Sequence, residues 1–451
     1  MSEDAKTPAP TPSVLDRALR VFGDVRAGEG LGILLMFLNV FVLLVAYYVL
    51  KTVREPLILS EGSAELKSYA SALQALVLMG YVPLYAWVAS RLPRQKLILA
   101  VILFFLGCIQ LFFLAGQAGL PHIGLVFFVW VGIFSLTMIA QFWSYANDLY
   151  SREAGNRLFA LIAIGSTAGA PLGAALAEWL FDSGVGPYAM MQISAALLIV
   201  HLGLYGAANR RLTAAAGASA SSGESLKPGG GFGLVFRSRY LMLIAAFLVL
   251  LNVVNTTGEY LLSESVLKNA ASLAAADPGF DVGAYIGGFY GGFFFWVNVA
   301  TIIIQAFLVS RLVKYLGMAG ALFALPIVAL GTYGVVGAGA GFALLRWAKT
   351  AENSTDYSVM NTAKQMLWLP TTREEKYKAK QAIDTFFVRA GDVISAGIVF
   401  VGVNWLALDV TGFGRANVAI ILGWFVVGVV LLREYRRLTS TVETGSGSSS
   451  H

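Results

Sequence analysis

Charge is missing from this chain in long blocks, and that constrains it more than any other feature. Apolar runs occupy roughly residues 31–59, 69–89, 97–115, 122–146, 157–181 and 188–208. Six more occupy roughly 239–263, 283–311, 315–336, 339–368, 381–405 and 415–432. Each is near or above the ~20 apolar residues that an α-helix needs to cross a bilayer. Overall, 57% of the 451 residues are hydrophobic and 13% are charged, against about 25% charged in soluble globular proteins. A soluble enzyme and a disordered chain are both excluded. The runs are continuous rather than alternating, which argues against a strand barrel. The expected fold is all-α and polytopic, with twelve transmembrane helices in two six-helix halves.

The runs divide the chain. Residues 1–29 read as a polar N-terminal segment with a short amphipathic piece, Val14–Phe22, at the membrane surface. Residues 30–208 form the first half and 239–434 the second. Between them, 209–238 contains small and glycine-rich stretches that read as a flexible linker. Residues 435–451 form a tail whose GSGSSSH end reads as appended sequence and is set aside. Lys and Arg concentrate in every second connection, with Lys51, Arg54, Lys67, Lys268 and Arg415 on the other face. The positive-inside rule then places both termini and the linker in the cytoplasm; the expected location is a bacterial inner (plasma) membrane.

Charges within spans are costly and point to function. The tenth run carries Arg346, Lys349, Glu352, Asn353, Asp356, Asn361 and Lys364. At 100° per residue, Arg346, Lys349, Asn353, Asp356 and Lys364 fall within an arc of about 80°. The alternative is internal neutralisation of Lys349 by Asn353 and Asp356. Near the end of the first run, Lys51 and Arg54 lie one turn apart, where their heads either converge on one anion or mark the membrane surface. Asn252, Asn255 and Glu259 share a face of the seventh run, and Gln141 lies in the fourth. Arg389 and Asp392 read as a one-turn pair. Basic groups outnumber acids around these runs, which suits a phosphate or carboxylate. Glycine stripes at 165, 169, 173 and at 283, 287, 291 mark close helix packing and a sliding surface between the halves.

Several chemistries find no support. One cysteine, Cys108, gives no thiolate metal site, and His122 and His201 fall on different runs. No phosphate-binding GxxxxGK[ST] loop is present. The chain is read as no enzyme, with no cofactor, no metal and no nucleic-acid partner. An uncoupled or ion-coupled secondary transporter remains.

Short motifs add to this. Tyr357–Pro370 followed by Glu375–Asp384, Lys51–Leu59, Ala140–Trp143 and, more loosely, Asn255–Glu259 occur in the order and on the helices of a known pattern. Together they resemble the nucleotide transporter family of plastids and intracellular bacteria, the ATP:ADP antiporters. The resemblance implies a major facilitator fold, with six helices repeated. Likeness to major facilitator proteins, where the corresponding helices lie against each other, implies that the two glycine stripes meet. It also implies two basic and two acidic substrate residues. The bases fall on Arg54 and Lys364. One acid falls on or beside Gly258, with Glu259 standing in, and the other falls on the uncharged Gln141. The chain therefore reads as an atypical relative of that family.

The substrate-site expectation comprises Lys51, Arg54, Gln141, Asn255, Glu259, Arg346, Lys349, Asn353, Asp356, Asn361 and Lys364. Glu259, Glu352 and Asp356 are the coupling candidates, with the proton as coupling ion. The expected activity is alternating-access transport of an anionic, phosphorylated metabolite, nucleotide-like first, by a monomer in the lipid bilayer. The alternatives are a proton-coupled carrier or exporter of a non-nucleotide organic anion, and a non-transporting membrane sensor or scaffold.

Overall fold

The computed structural model describes residues 12–21, 23–215 and 231–447. Helix α1 (Val14–Leu19) is a single capped turn and a half that precedes the long α2 (Gly30–Glu61). In α1, Ser13 and Asp16 form a reciprocal capping box. The same Asp16 carboxylate accepts from the backbone N–H of Gly28 at 3.1 Å and of Gly30 at 2.7 Å. The Gly28 N–H, with Ser13 and Gly30, holds the Asp16 carboxyl well below the usual carboxylate range. The amphipathic piece expected at the surface is thereby tied to the start of α2, with Val14 and Val21 left exposed.

The rest of the first half is α3 (Ala64–Ala89), α4 (Arg94–Gln117), α5 (Ile123–Leu149), α6 (Arg152–Asp182) and α7 (Pro187–Ala215). Charges stand at the helix ends and apolar residues fill the interiors, so each helix satisfies its own backbone while facing lipid. Helix α7 runs past the expected end of its span into the region read as linker, and the short α8 (Gly231–Arg237) forms that region's other end. The centre of the linker, 216–230, lies outside the described residues.

The second half comprises α9 (Arg239–Ala276), α10 (Val282–Ile303), α11 (Val309–Gly337), α12 (Phe342–Thr355), α13 (Asn361–Met366), α14 (Lys380–Ala382), α15 (Val388–Asn404) and α16 (Val410–Gly447). Helix α9 continues 13 residues beyond the expected 263. Single π turns join α10 to α11, α12 to α13, and α14 to α15. Ten helices among the described residues are long and apolar enough to span a membrane, one of them covering Val282–Gly337. That one breaks at Gly317, where φ is +60° and ψ −151°, a conformation open to glycine. It therefore crosses twice. The twelfth crossing is α12–α13, whose charges keep it from reading as a simple apolar span. The chain is thus an all-α, multi-pass membrane protein with twelve crossings, as expected.

We call the side carrying the start of α2 the terminal face and the side carrying its end the opposite face. The glycine stripes do not meet. On α6, Gly165, Gly169 and Gly173 lie against the backbone of α2 at Phe37, Phe41 and Val45. On α10, Gly287 faces the Phe181 ring and Gly291 the Glu178 backbone, both on another side of α6. Helices α6 and α10 do join the halves, but only one stripe lies at that joint. The other lets α2 and α6 close-pack inside the first half, an alternative that residue spacing does not distinguish.

Candidate functional site

The polar residues of the first, seventh, eighth and tenth spans meet at the seam between the halves. Helix α2 supplies Tyr47, Tyr48, Lys51, Arg54 and Glu55. Lys51 and Arg54 diverge from one another. The Lys51 Nζ sits 4.1 Å from the centre of the Phe294 ring on α10 and 5.1 Å from that of Tyr48. The Arg54 guanidinium lies 4.2 Å from the Phe128 ring on α5 and pairs with Glu55 at 2.5 Å. A cation over an aromatic face is stabilised by the ring quadrupole, yet keeps its charge available to an anion.

Lys67 is the largest departure from expectation. Its position between two apolar runs suggests a loop charge, but α3 begins at Ala64 and buries it. Its Nζ pairs with Glu55 Oε2 at 2.6 Å and donates to Ser263 Oγ at 3.0 Å and Tyr290 Oη at 3.2 Å. It also lies 4.0 Å from Glu259. Ser263 and Tyr290 belong to α9 and α10, so this lysine bridges the halves. Tyr48 Oη donates to Asn298 Oδ1 at 3.1 Å across the same seam.

On α12, Lys349 is fully buried. Its partners are Glu352 at 3.0 Å, Asn255 Oδ1 at 2.9 Å and Glu259 at 3.9 Å. Neutralisation by Asn353 and Asp356 is therefore not what is found. Asn353 donates to Glu259 at 3.0 Å, and Asp356 pairs with Lys364 at 3.1 Å. Tyr333 donates to Glu352 at 3.1 Å. The other carboxylate oxygen of Glu352 is buried without a partner among the described residues. Glu352 also lines a water-sized pocket of about 10 Å³ with Asn255, Asp356 and Trp424.

The π turn Asp356–Met360 sits in the middle of this charged helix. Such bulges cluster at functional sites. The extra residue shifts the helical phase beyond Asp356, so the face computed at 100° per residue does not continue unchanged to Lys364. Tyr357 is 43% exposed although it lies near Tyr47 and Tyr48 of the other half. Asn361, one turn on, is also exposed. The seam is therefore open here, toward the terminal face, and closed at Lys67.

Arg346 does not join this group. It stacks over Phe289 and Trp347 and interacts with Glu178 of α6, next to Gly292. Asn252, Asn255 and Glu259 divide between neighbours. Asn252 donates to Val388 O and Asp392, while Asn255 and Glu259 face α12. The expected Arg389–Asp392 pair forms at 3.5 Å, and Thr256 also binds Asp392. Gly258 has no room for an acid: an added Cβ would strike the Tyr333 hydroxyl and lie 2.9 Å from Lys349 Nζ. Glu259 is thus the acid that α9 offers. Gln141 is buried, with its amide nitrogen unpartnered among the described residues, on the wall of a separate pocket of about 360 Å³ formed with Tyr85, Arg94, Ile98 and Ser144.

Glu55, Lys67, Tyr290, Phe294 and Glu178 were not singled out from the sequence. Glu55 had a signal, being an acid inside an apolar span. Lys67 and Glu178 lie near span ends, where charges are ordinary.

Residues 20–115 match the family of TLC ATP/ADP transporters, a stretch that includes Lys51–Leu59 and Lys67. ADP,ATP carrier protein 1 of Chlamydia trachomatis serovar D is 23% identical over 328 residues, covering 61% of this chain. Over these stretches the chain is similar to the TLC ATP/ADP transporters. The alignment spans 58% of the Chlamydia carrier. Among solved structures, peptide transporter POT with sulfate aligns at a TM-score of 0.64 and 14% identity, over 94% of this chain and 99% of that one. Nucleoside transporter NupG aligns at 0.63 and 12% identity, over 89% and 98%. A bacterial homologue of the iron transporter ferroportin aligns at 0.64 and 14%, over 89% and 98%. These likenesses establish the major facilitator fold. The proteins matched are transporters, not enzymes.

Proposed function

We propose that this protein is a secondary transporter that carries an anionic solute across a bacterial inner membrane by alternating access, as a monomer with both termini cytoplasmic. One observation carries the reading. Lys51 stands between aromatic rings at an open seam between the halves, with no acidic partner among the described residues. It is where an incoming carboxylate or phosphate gains most. Arg54 and Lys364, one from each half, would complete the contact, with Asn361 nearer the terminal face and Gln141 in the separate pocket beside Tyr85 and Arg94. Tyr47, Tyr48 and Tyr357 would pack against a ring. The family relationship puts phosphorylated, nucleotide-like solutes first.

A second reading has its own support. Arg54, Lys67, Lys349 and Lys364 already hold carboxylates. A solute with several negative charges must open those pairs, whereas an organic anion of low charge needs Lys51 alone. Acids of the second half, the buried Glu352 and Asp356 with the half-buried Glu259, would then take up the coupling proton. Purified protein in proteoliposomes tests both readings, with labelled ATP, ADP and AMP in one series and small organic carboxylates in the other. Saturable uptake that is lost in Lys51→Ala supports an anion carrier. Uptake of neither series sinks the reading.

A further inference from the structure

The charged residues at the seam form one alternating chain. Arg54 pairs with Glu55 at 2.5 Å, and Glu55 with Lys67 at 2.6 Å. Lys67 lies 4.0 Å from Glu259, Glu259 lies 3.9 Å from Lys349, and Lys349 pairs with Glu352 at 3.0 Å. The first three residues belong to the first half and the last three to the second. The boundary falls between Lys67 and Glu259. The first-half cluster therefore carries one net positive charge and the second-half cluster one net negative charge. Burial limits screening by water, since Glu55 and Lys349 side chains are fully covered and those of Lys67 and Glu352 nearly so, while the Glu259 side chain at the boundary is 27% exposed. The charge-assisted hydrogen bonds from Lys67 to the Ser263 and Tyr290 hydroxyls lie at the same boundary.

We propose that this is a charge-complementary clasp holding the opposite face shut, and that an anion seated on Arg54 releases it. Arg54 is the end of the chain that reaches the open seam, with 15% of its side chain exposed. An anion there neutralises the excess positive charge of the first-half cluster. The net attraction between the two clusters is then cancelled, leaving only the local contacts of Lys67 with Glu259, Ser263 and Tyr290 to hold the face. Glu55 is a positioning residue in this scheme. It touches both the anion-binding cation and the bridging cation, and it limits the first-half excess to a single charge. Loading at the seam and opening at the opposite face are thus linked through Glu55–Lys67. The identity of the releasing ligand rests on the anion-carrier reading; the clasp itself rests on the pairing.

The test needs no solute. Spin labels at Ser183 and Asp277, in a Cys108→Ser background, report the distance between the halves at the opposite face by pulsed electron resonance. Arg54→Gln removes the first-half excess, and Glu259→Gln the second-half excess. Each should raise the open-to-closed ratio at least about fivefold, at the lower end of ordinary coupling free energies. Glu55→Gln raises the first-half excess instead, and should leave the face as closed as in the parent or more so. Arg54→Lys keeps the charge and should match the parent, provided each variant elutes as a single species. Opening in Glu55→Gln comparable to that in Arg54→Gln overturns the proposal, because any breakage of the chain would then suffice. An unchanged distance in both Arg54→Gln and Glu259→Gln overturns it as well. A clasp that behaves as stated alongside proteoliposomes that move no anion would refute the carrier reading and leave the clasp standing.

Discussion

Adding one methyl group at Gly291 should unlock the opposite face. A Cβ built on this residue of α10 would lie 2.7 Å from the backbone nitrogen of Glu178 and 2.8 Å from its Cα and Cβ, whereas ordinary contact begins at 3.4 Å. Backbone cannot rotate away as a side chain can, so α6 and α10 must part by something on the order of 0.7 Å. Overpacking of this kind costs about 1–3 kcal/mol. The gain in helix propensity from Gly to Ala, about 1 kcal/mol, applies to the open and closed arrangements alike and cancels from their ratio. The cost falls on the closed arrangement alone, because only there do Gly291 and Glu178 touch across the halves. The closed-to-open ratio should therefore fall about 5- to 150-fold.

The assay is the Ser183–Asp277 label distance, read together with thermal unfolding. Gly291→Ala should lengthen the distance and hardly move the melting temperature. Gly169→Leu is the contrasting variant. There a Cβ would meet the carbonyl of Phe41 at 2.6 Å, within one half, so strain is present in every access state. It should lower the melting temperature and leave the distance as it was. An unchanged distance in Gly291→Ala, or a lengthened one in Gly169→Leu without loss of stability, would refute this assignment of the two stripes.

Other outcomes follow from the same geometry. Lys349→Met leaves Glu352 buried beside Tyr333 without its cation, and should destabilise the second half by about 3–5 kcal/mol, seen as a fall in melting temperature that Lys349→Met/Glu352→Leu partly restores. Lys51→Ala should abolish saturable anion uptake at unchanged expression, since loss of a charged contact costs about 2–5 kcal/mol; normal uptake would place the anion elsewhere. With Gln141 uncharged, proteoliposomes should show no strict dependence of labelled ATP uptake on internal ADP, and a strict dependence would contradict the expectation. Asp16 holds the start of α2 with its carboxyl depressed, so its contribution is present above the ordinary value of 3.8 and is lost only as pH falls through the lower folded value. Amide protection at Gly28 and Gly30, corrected for intrinsic exchange, should persist through pH 4; loss between pH 5 and 4 would indicate an ordinary carboxylate.

The fold was legible because bilayer crossing demands length and apolarity, and both are local properties of sequence. The span ends were less so. Helix α9 carries Glu259, Glu264 and Lys268 in one continuous helix out to Ala276, and a hydropathy window stops where those charges begin. The π turns were invisible, because an inserted helical residue leaves no compositional mark. The glycine stripes announced close packing but not the partner, since two neighbours of α6 fit the same spacing.

For the site, the limiting fact is that charge in a membrane interior comes in sets, and a sequence shows only the members. The bases and acids visible in the spans, Lys51, Arg54, Arg346, Lys349 and Lys364 against Glu259, Glu352 and Asp356, suggested a cavity with an excess of positive charge. With Glu55, Lys67 and Glu178 in place, nearly every cation at the seam acquires an acid, and among the described residues Lys51 is left with rings instead. The distinction matters chemically. A buried ion pair is held by its own Coulomb energy and resists a new ligand, because displacing one partner leaves the other desolvated and unpaired. A cation resting on π faces forfeits far less when an anion arrives. Which basic residue meets the solute first is therefore decided by the partners that the fold supplies, through helices α3 and α10 that carry no motif at these positions. For Lys51 those partners are Tyr48 on its own helix and Phe294 on α10, and two aromatic side chains in apolar runs give no reason, before the helices are assembled, to expect a cation between them.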